Sequence, residues 1–146
     1  MKVRDIMSPD PVCCVPTDTA EYVARVMCDR NIGSMPVVTD QQSRKAVGVI
    51  TDRDLCCSVI GKGLDAKKTQ IEAFITRPAV TCRDGENLDN CVCLMQEHQL
   101  RRILVVDSED CVIGIVAQAD VALKDKPERV HKTVAEISKE ARPIAA

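Results

Sequence analysis

The segment GVITDRDL, residues 48–55, places a hydroxyl and a carboxylate three residues apart at the end of an apolar run. The ionised carboxylate of Asp54 can accept hydrogen bonds from two vicinal hydroxyls of a ligand at once. The cation of Arg53 could contact a phosphate beside them. A structural alternative is a helix cap, in which Thr51 or Asp52 accepts from the first free N–H groups of a following helix. The two roles are compatible, and the cap alone explains Asp52 better than it explains Asp54.

Cysteines are the second group of reactive side chains, and the chain has nine of them, at positions 13, 14, 28, 56, 57, 82, 91, 93 and 111. An odd number without a signal peptide disfavours a secreted disulfide framework. The sequence contains no C-x-x-C, and its adjacent pairs lack a zinc-ribbon spacing. We therefore expect most cysteines to be small buried hydrophobic residues, with Cys91 and Cys93 on different faces of a helix. A redox role stays open for Cys13, Cys14 and Cys82.

The elements that would position these side chains form an internal repeat. Residues 12–27, VCCVPTDTAEYVARVM, align with residues 80–95, VTCRDGENLDNCVCLM. After a turn two residues longer in the first copy, VGVITDRD aligns with IGIVAQAD, so that Asp54 matches Asp120. Two copies of one unit therefore span residues 5–123.

Each copy predicts the order strand, helix, strand, strand, helix. A short strand, Val12–Val15 or Val80–Cys82, leads into an amphipathic helix, and two apolar segments joined by a polar turn follow as a hairpin. A second helix closes each copy, from Asp52 to about Ile60 and from Gln118 to about Lys124. One copy of about 55 residues buries too little surface alone, so the two sheets should pack face to face. This predicts an α/β (α+β) fold with pseudo-twofold symmetry.

The repeat divides the chain into a first domain of residues 1–62, a linker of 63–70, a second domain of 71–124 and a C-terminal helical extension of 125–146. Pro127 suits a first helical turn of that extension. Val130, Val134 and Ile137 form a narrow apolar stripe, which is too thin for a core helix. We expect this helix to pack on the two domains or on a second subunit.

Composition excludes several classes of function. The formal net charge is -2, and the aromatic residues are only Tyr22 and Phe74, so nucleic acid is not expected as a primary partner. The N-terminus has no targeting segment, and no apolar run approaches the roughly 20 residues of a membrane helix, which predicts a cytoplasmic protein without a membrane partner. The sequence has no nucleophile–base motif, Walker loop or metal-ligand cluster. An enzyme or a metal site is therefore not expected, and His98 reads as a solvated surface residue.

The pattern DIM…PVV…VGVITDRDL, together with its second copy, resembles the cystathionine-β-synthase (CBS) domain, whose tandem pair is known as a Bateman module. The resemblance covers about residues 3–124 and is strongest to small bacterial and archaeal CBS-pair proteins. It implies a non-catalytic sensor that binds an adenine nucleotide in the cleft between the two domains and modulates an unknown partner protein. AMP, ADP, ATP, NAD and S-adenosylmethionine are the ligands that the resemblance suggests.

The resemblance also assigns residues to the ligand. Nucleotide-binding members carry G-h-x-[ST]-x-x-D, whose hydroxyl lies near phosphate or ribose and whose aspartate holds the ribose hydroxyls. Gly48, Thr51 and Asp54 match this pattern. The second copy keeps Asp120 but has Ala117 in place of the hydroxyl.

Two further groups of residues are implied in the same way. Arg102, which follows Arg101 at the start of a strand, corresponds to a phosphate-contacting arginine in the family, and a solvated strand edge is the alternative. The adenine slot would be formed in the first copy by Val12, Cys13, Cys14, Ile32 and Pro36, and in the second by Val80, Thr81, Cys82 and Leu100. For each slot residue, core packing is an equally good explanation.

Bateman modules commonly pair through their helices, and Tyr22 and Val26 extend the apolar surface of the first helix beyond its core face. A homodimer is therefore expected. Two alternative functions remain open at this stage. One is a thiol- or metal-linked stress-response CBS protein that binds no nucleotide, and the other is a purely structural dimer module.

Overall fold

The computed structural model describes residues 1–139 of the chain. Its strands are β1 Ser8–Pro9, β2 Ser34–Val38, β3 Ala46–Thr51, β4 Thr81–Arg83, β5 Arg102–Val106 and β6 Val112–Ala117. Its α-helices are α1 Ala20–Arg30, α2 Asp52–Leu55, α3 Leu88–His98, α4 Gln118–Lys124 and α5 Pro127–Ile137. A π-helical turn, Cys56–Ile60, continues α2, and Val3–Asp5 and Ile71–Phe74 form 3₁₀ turns.

These elements fall into two compact units. We call residues 11–79 and 109–112 the repeat-1 unit, and residues 1–10, 80–108 and 113–139 the described part of the repeat-2 unit. The division differs from the consecutive ranges 1–62, 63–70, 71–124 and 125–146 expected from the sequence. Residues 1–10 belong with the second repeat, and residues 63–79 belong with the first.

The predicted α/β fold is confirmed, and the second repeat has the complete β-α-β-β-α order. In the repeat-2 unit the sheet order is β1-β6-β5-β4, with β4 parallel to β5. In the repeat-1 unit β2 and β3 form an antiparallel pair. The predicted first strand of this unit is reduced to a single parallel bridge between Cys14 and Val37.

Strand pairing with distant segments explains why the units are not consecutive. Val49 of β3 exchanges backbone hydrogen bonds with Thr76, at N–O distances of 3.1 and 3.0 Å. In the repeat-2 unit β1 pairs antiparallel with β6, with Pro9 opposite Gly114. A close approach of this kind requires a residue without a side chain. A Cβ at Gly48 would overlap the carbonyl oxygen of Thr76, and one at Gly114 would lie 2.6 Å from Met7 Sδ.

Helix α1 has a capped start, and the first helices of the two repeats end in the same way. Thr19 caps the start of α1 by accepting from the backbone N–H of Tyr22 at 3.2 Å. Asn31 ends α1 in the left-handed conformation, with φ of 53°, and Gln99 does so for α3, with φ of 52°. Asparagine tolerates this conformation better than most residues with a side chain. The chain therefore enters β2 of the first repeat and β5 of the second repeat at equivalent positions.

The C-terminal helix α5 begins at Pro127, as predicted, and packs on α3 and α4 of its own unit. Ile137 is 6% exposed and Thr133 is 1% exposed, so this helix does bury part of its narrow stripe. Of the two expected alternatives, the structure shows the first in part, since α5 packs on the second domain. Residues 140–146 of the predicted extension lie outside the described part of the chain.

The α-helices α1, α3 and α5 have 11 residues each. In the described part of the chain, no helix combines the length and the apolar character needed to cross a membrane.

Candidate functional site

Thr51 and Asp54 form a reciprocal capping box at the junction of β3 and α2. The backbone N–H of Asp54 donates to Thr51 Oγ1 at 3.1 Å, and the backbone N–H of Thr51 donates to Asp54 Oδ2 at 2.9 Å. These bonds satisfy donors that the helix start leaves unpaired. The cap is therefore real, and Thr51 rather than Asp52 is its N-cap residue. The carboxylate of Asp52 instead accepts from the backbone N–H of Arg53 at 2.8 Å.

Capping leaves part of the pair available to a ligand. Both residues are half-buried, and Asp54 uses only Oδ2 in the cap. No hydrogen bond within residues 1–139 ends on its other oxygen, Oδ1. An ionised carboxylate oxygen fixed in this way is a strong acceptor for a ligand hydroxyl. The neighbouring Arg53 is exposed.

Strand register brings a second hydroxyl close to this pair. Ser34, the first residue of β2, lies opposite Thr51 and is only 7% exposed. The backbone N–H of Asp52 donates to Gly33 O at 3.0 Å, which fixes the start of α2 against the start of β2. The alignment of the two repeats already places Gly33 and Ser34 where the second copy has Arg101 and Arg102. The pairing of Ser34 with Thr51 depends on the register of the hairpin, which the bulge between Val37 and Val38 alters.

The residues expected to form the adenine slot are only partly accessible. Cys14 and Pro36 lie together, with Cys14 N donating to Pro36 O at 3.0 Å, and both are buried. Cys13 is 5% exposed. Val12 and Ile32 are half-buried and keep some surface. The side chains of Cys14 and Pro36 therefore pack in the core. A ligand role for the residues of the expected adenine slot stays a prediction.

The repeat-2 unit reproduces the cap without the hydroxyl. The backbone N–H of Ala117 donates to Asp120 Oδ2 at 2.7 Å, and the N–H of Gln118 donates to Arg101 O at 2.8 Å. Arg101 and Arg102 are both exposed at the start of β5. The two repeats thus present the same backbone frame, one with hydroxyls and the other with cations beside it.

A cavity of about 450 Å³ lies elsewhere in the repeat-1 unit, between α1 and the helical run of residues 52–60. We call it the α1/α2 groove. Its lining is Ala24, Met27, Cys28, Asn31, Ile32, Gly33, Asp52, Leu55, Cys56 and Ile60. Of the predicted ligand residues, Ile32 lines the groove, whereas Thr51 and Asp54 do not, although their neighbour Asp52 does.

Comparison with protein families matches both repeats. The CBS domain model covers residues 3–60 and 71–125, which is more than half of the chain. The chain belongs to the CBS domain family. The match places the Thr51–Asp54 cap within the first CBS domain and the Asp120 cap within the second.

Relatives of this CBS pair include proteins with bound ligands. The protein YlbB of Bacillus subtilis is 33% identical over 141 residues, covering 94% of this chain and 91% of YlbB. A crystal structure of Hypoxic Response Protein I with two coordinated zinc ions has a TM-score of 0.76 at 26% identity, covering 86% of this chain and 100% of that one. The CBS domain pair of MJ0100, in complex with 5′-methylthioadenosine and S-adenosylmethionine, has a TM-score of 0.74 at 28% identity. That alignment covers 84% of this chain and 98% of the MJ0100 chain.

The cysteines of this CBS pair are distributed differently from the prediction. Cys13, Cys14, Cys82 and Cys91 are buried, whereas Cys28, Cys56, Cys57 and Cys93 are exposed and Cys111 is intermediate. The expectation that most of them are buried is therefore wrong. The exposed four lie on helices, at positions that turn away from the core. The separation of Cys91 and Cys93 onto different faces is confirmed.

The surroundings of the three possible redox cysteines differ. Burial, and then the charge of Asp18, raise the pKa of Cys14 to about 12. A hydrogen bond with the thiol of Cys91, and then burial, raise the pKa of Cys82 far above its ordinary range. Both groups therefore remain neutral thiols near pH 7, and neutral thiols are poor nucleophiles. Cys13 is different, since the guanidinium of Arg44 lies 3.0 Å from its Sγ.

Among residues 1–139, no group of three or more His, Cys, Asp or Glu side chains is arranged to hold a metal ion.

Replacing buried Cys91 with Ala is expected to lower the free energy of unfolding by about 1 kcal/mol, because it removes core contacts and leaves a small void. Cys28→Ala, at an exposed helical position, should change it by less than about 0.5 kcal/mol. Urea denaturation measures both. Equal costs for the two variants would contradict the burial described here.

Proposed function

We propose that this CBS pair is a regulatory module that binds an adenine nucleotide, with Asp54 as the ribose anchor and Thr51 beside it. The observation that carries the proposal is the half-buried Asp54 carboxylate, which the cap orients through Oδ2 while Oδ1 remains available. Oriented acceptors lose little freedom when a ligand binds. The complex of the similar MJ0100 pair with two adenosine derivatives supports this class of ligand.

The proposed role is sensing rather than catalysis. The family model that matches both halves of the chain is a CBS domain. A module of this kind can act on a partner only if the ligand has different affinities for two states of the assembly. We therefore propose that the nucleotide shifts a conformational equilibrium to which an as yet unknown partner protein responds.

A calorimetric titration with AMP, ADP, ATP, NAD, S-adenosylmethionine and adenosine tests the proposal, with GMP as the control for base recognition. We expect at least one adenosine compound to bind with a millimolar or lower Kd and to raise the melting temperature. GMP should bind more weakly. If no adenosine compound binds at millimolar concentration, the proposal fails.

Arg102 is proposed to contact a ligand phosphate. Because this side chain is exposed and its charge is screened by solvent, Arg102→Ala should weaken ATP or AMP binding by at most about fivefold, or roughly 1 kcal/mol. Adenosine, which has no phosphate, should lose little affinity. The matched control is Arg101→Ala, which removes a neighbouring exposed cation. Equal losses for ATP and adenosine would argue against a phosphate contact.

The contact between Arg44 and Cys13 favours a second candidate function, which is thiol-linked regulation. A guanidinium 3.0 Å from Sγ stabilises the thiolate, the reactive form of cysteine. If this function operates, mild oxidant should block alkylation of Cys13, and a reductant should restore it. If Cys13 is alkylated and protected to the same extent in Arg44→Gln, its reactivity is set by burial and not by the cation of Arg44.

A further inference from the structure

The backbone donors at the start of helix α2 are all used within the chain. The N–H of Asp52 donates to Gly33 O at 3.0 Å, and that of Arg53 donates to Asp52 Oδ1 at 2.8 Å. The N–H groups of Thr51 and Asp54 are paired in the capping box, at 2.9 and 3.1 Å. Free N–H groups at a helix start are what attract a phosphate to such a position. The β3–α2 junction therefore offers a phosphate little backbone hydrogen bonding.

The side chains at this junction also disfavour an anion. Asp52 and Asp54 supply two carboxylates, against the single guanidinium of Arg53. The remaining polar group is neutral, since Ser34 is 7% exposed and its Oγ makes no hydrogen bond within residues 1–139. A buried hydroxyl that lacks a partner gains a hydrogen bond when a polar ligand group reaches it. The junction is thus suited to hydroxyl groups rather than to phosphates.

The equivalent junction in the repeat-2 unit has the opposite character. Ala117 has no side-chain oxygen, so it cannot accept from the backbone N–H of Asp120 as its counterpart does in the first repeat. Arg101 and Arg102 occupy the positions of Gly33 and Ser34. Two guanidinium groups therefore stand beside one carboxylate, and guanidinium groups bind phosphate through charge-assisted hydrogen bonds. The same backbone frame has a net negative charge in one repeat and a net positive charge in the other.

We propose that the two repeats divide adenosine compounds by the charge of the group at the 5′ position. The repeat-1 site takes a compound whose 5′ group is neutral or cationic, and the repeat-2 site takes a phosphorylated one. The repeat-1 site consists of Ser34, Thr51 and Asp54. The repeat-2 site consists of Arg101, Arg102 and Asp120. The inference rests on the proposed function, because it assigns a class of ligand to each of two sites that are proposed to bind adenosine compounds.

The position of the 5′ group explains why charge decides between the sites. In a nucleoside this group lies only a few ångströms from the ribose hydroxyls, well within the Debye length of about 8 Å. With the ribose held by Asp54, a triphosphate would be repelled by the carboxylates at the β3–α2 junction, whereas a sulfonium or ammonium group would be attracted. The groups of the repeat-1 site are also buried or half-buried and already oriented. We therefore expect S-adenosylmethionine, which is cationic, to bind more tightly than ATP.

Competition between S-adenosylmethionine and ATP tests the division directly. In isothermal titration, ATP should still bind to the full chain when the chain is saturated with S-adenosylmethionine. Its Kd should change by less than about threefold, because the two compounds occupy different repeats. Displacement of one compound by the other from a single shared site would overturn the inference.

Asp54→Ala and Asp120→Ala are a matched pair of variants, because each removes the carboxylate that accepts from a backbone N–H in its own repeat. Asp54→Ala should weaken S-adenosylmethionine at least about tenfold and ATP much less. Asp120→Ala should weaken ATP more than S-adenosylmethionine. If the same variant had the larger effect on both compounds, the division would be wrong. Melting curves of each variant identify any loss of folding.

An exposed charge provides a variant that leaves the cap intact. Asp52→Asn keeps an oxygen that can accept from Arg53 N but removes the negative charge, so it should weaken S-adenosylmethionine by about threefold and neutral adenosine less. Asp29→Asn, the same change at an exposed aspartate on α1, is the control and should alter neither affinity. Equal losses for the two compounds in Asp52→Asn would contradict selection by charge.

The inference and the proposed function can fail separately. If no adenosine compound binds at millimolar concentration, both are overturned. If S-adenosylmethionine and ATP compete for one site, the proposed function stands and the division between the repeats is overturned.

Discussion

Asp54→Ala is expected to weaken binding of the adenine nucleotide by about ten- to a hundredfold, which corresponds to roughly 1.5–3 kcal/mol. The variant removes the carboxylate that we propose as the acceptor of the ribose hydroxyls. It also removes the bond between Asp54 Oδ2 and the backbone N–H of Thr51, which orients the carboxylate. Isothermal titration of the nucleotide that binds most tightly in the proposed screen measures the effect. Unchanged affinity would exclude Asp54 as the anchor.

Two variants separate binding from capping. Asp54→Asn keeps an oxygen that can accept from Thr51 N, so it should preserve the melting temperature. It should still lower the affinity for the nucleotide, because the charge of the acceptor is lost. Asp120→Ala removes the equivalent bond from Ala117 N in the other repeat. It should reduce nucleotide affinity only if the second site, which lacks the hydroxyl, is also occupied.

Gly48→Ala is expected to lower the free energy of unfolding by about 2–3 kcal/mol, because the new methyl group would overlap backbone atoms that cannot move alone. Its Cβ would contact the carbonyl oxygen of Thr76 and would lie 2.5 Å from Ile75 Cγ2. Relief would require separation of β3 from the residue 75–76 segment and loss of the Val49–Thr76 hydrogen bonds. Urea denaturation followed by circular dichroism measures the change.

Two other glycines provide graded controls for this effect. At Gly114 the nearest atom to a Cβ is Met7 Sδ, which a flexible side chain can move, so Gly114→Ala should cost less, about 1 kcal/mol. At Gly85 a Cβ meets no atom within 4 Å, so Gly85→Ala should be nearly neutral. If all three variants were equally stable, the close approach at Gly48 would be contradicted.

The local chemistry of the candidate site could be predicted from the sequence, but its surroundings could not. The spacing of Thr51 and Asp54 contains all the information needed for a capping box, because both bonds span three residues. The nearby Ser34 reaches Thr51 only through hairpin register. The α1/α2 groove depends on how two helices pack, and packing of this kind leaves no short sequence signal.

Helical periodicity could have corrected the expectation for the cysteines. Cys28 follows the buried Met27 by one residue, and Cys93 follows the buried Val92 in the same way, which turns each by about 100° away from the core face. The expectation that most cysteines are buried did not apply this signal to Cys28, although it was applied to Cys91 and Cys93. The exposure of Cys56 and Cys57 was harder to predict, because a π-helical turn changes the residue spacing there.

The pairing of β1 with β6 has a consequence for the order in which the protein can fold during synthesis. The partners of Ser8 and Pro9, which are Ile115 and Gly114, are made more than a hundred residues later. At about 5–20 residues per second, the N-terminal segment waits roughly 5–20 s for its partner strand. Throughout that interval its backbone groups must remain hydrated or bound by a chaperone. The repeat-1 unit likewise waits for residues 109–112, so neither unit can be completed before both repeats have been synthesised.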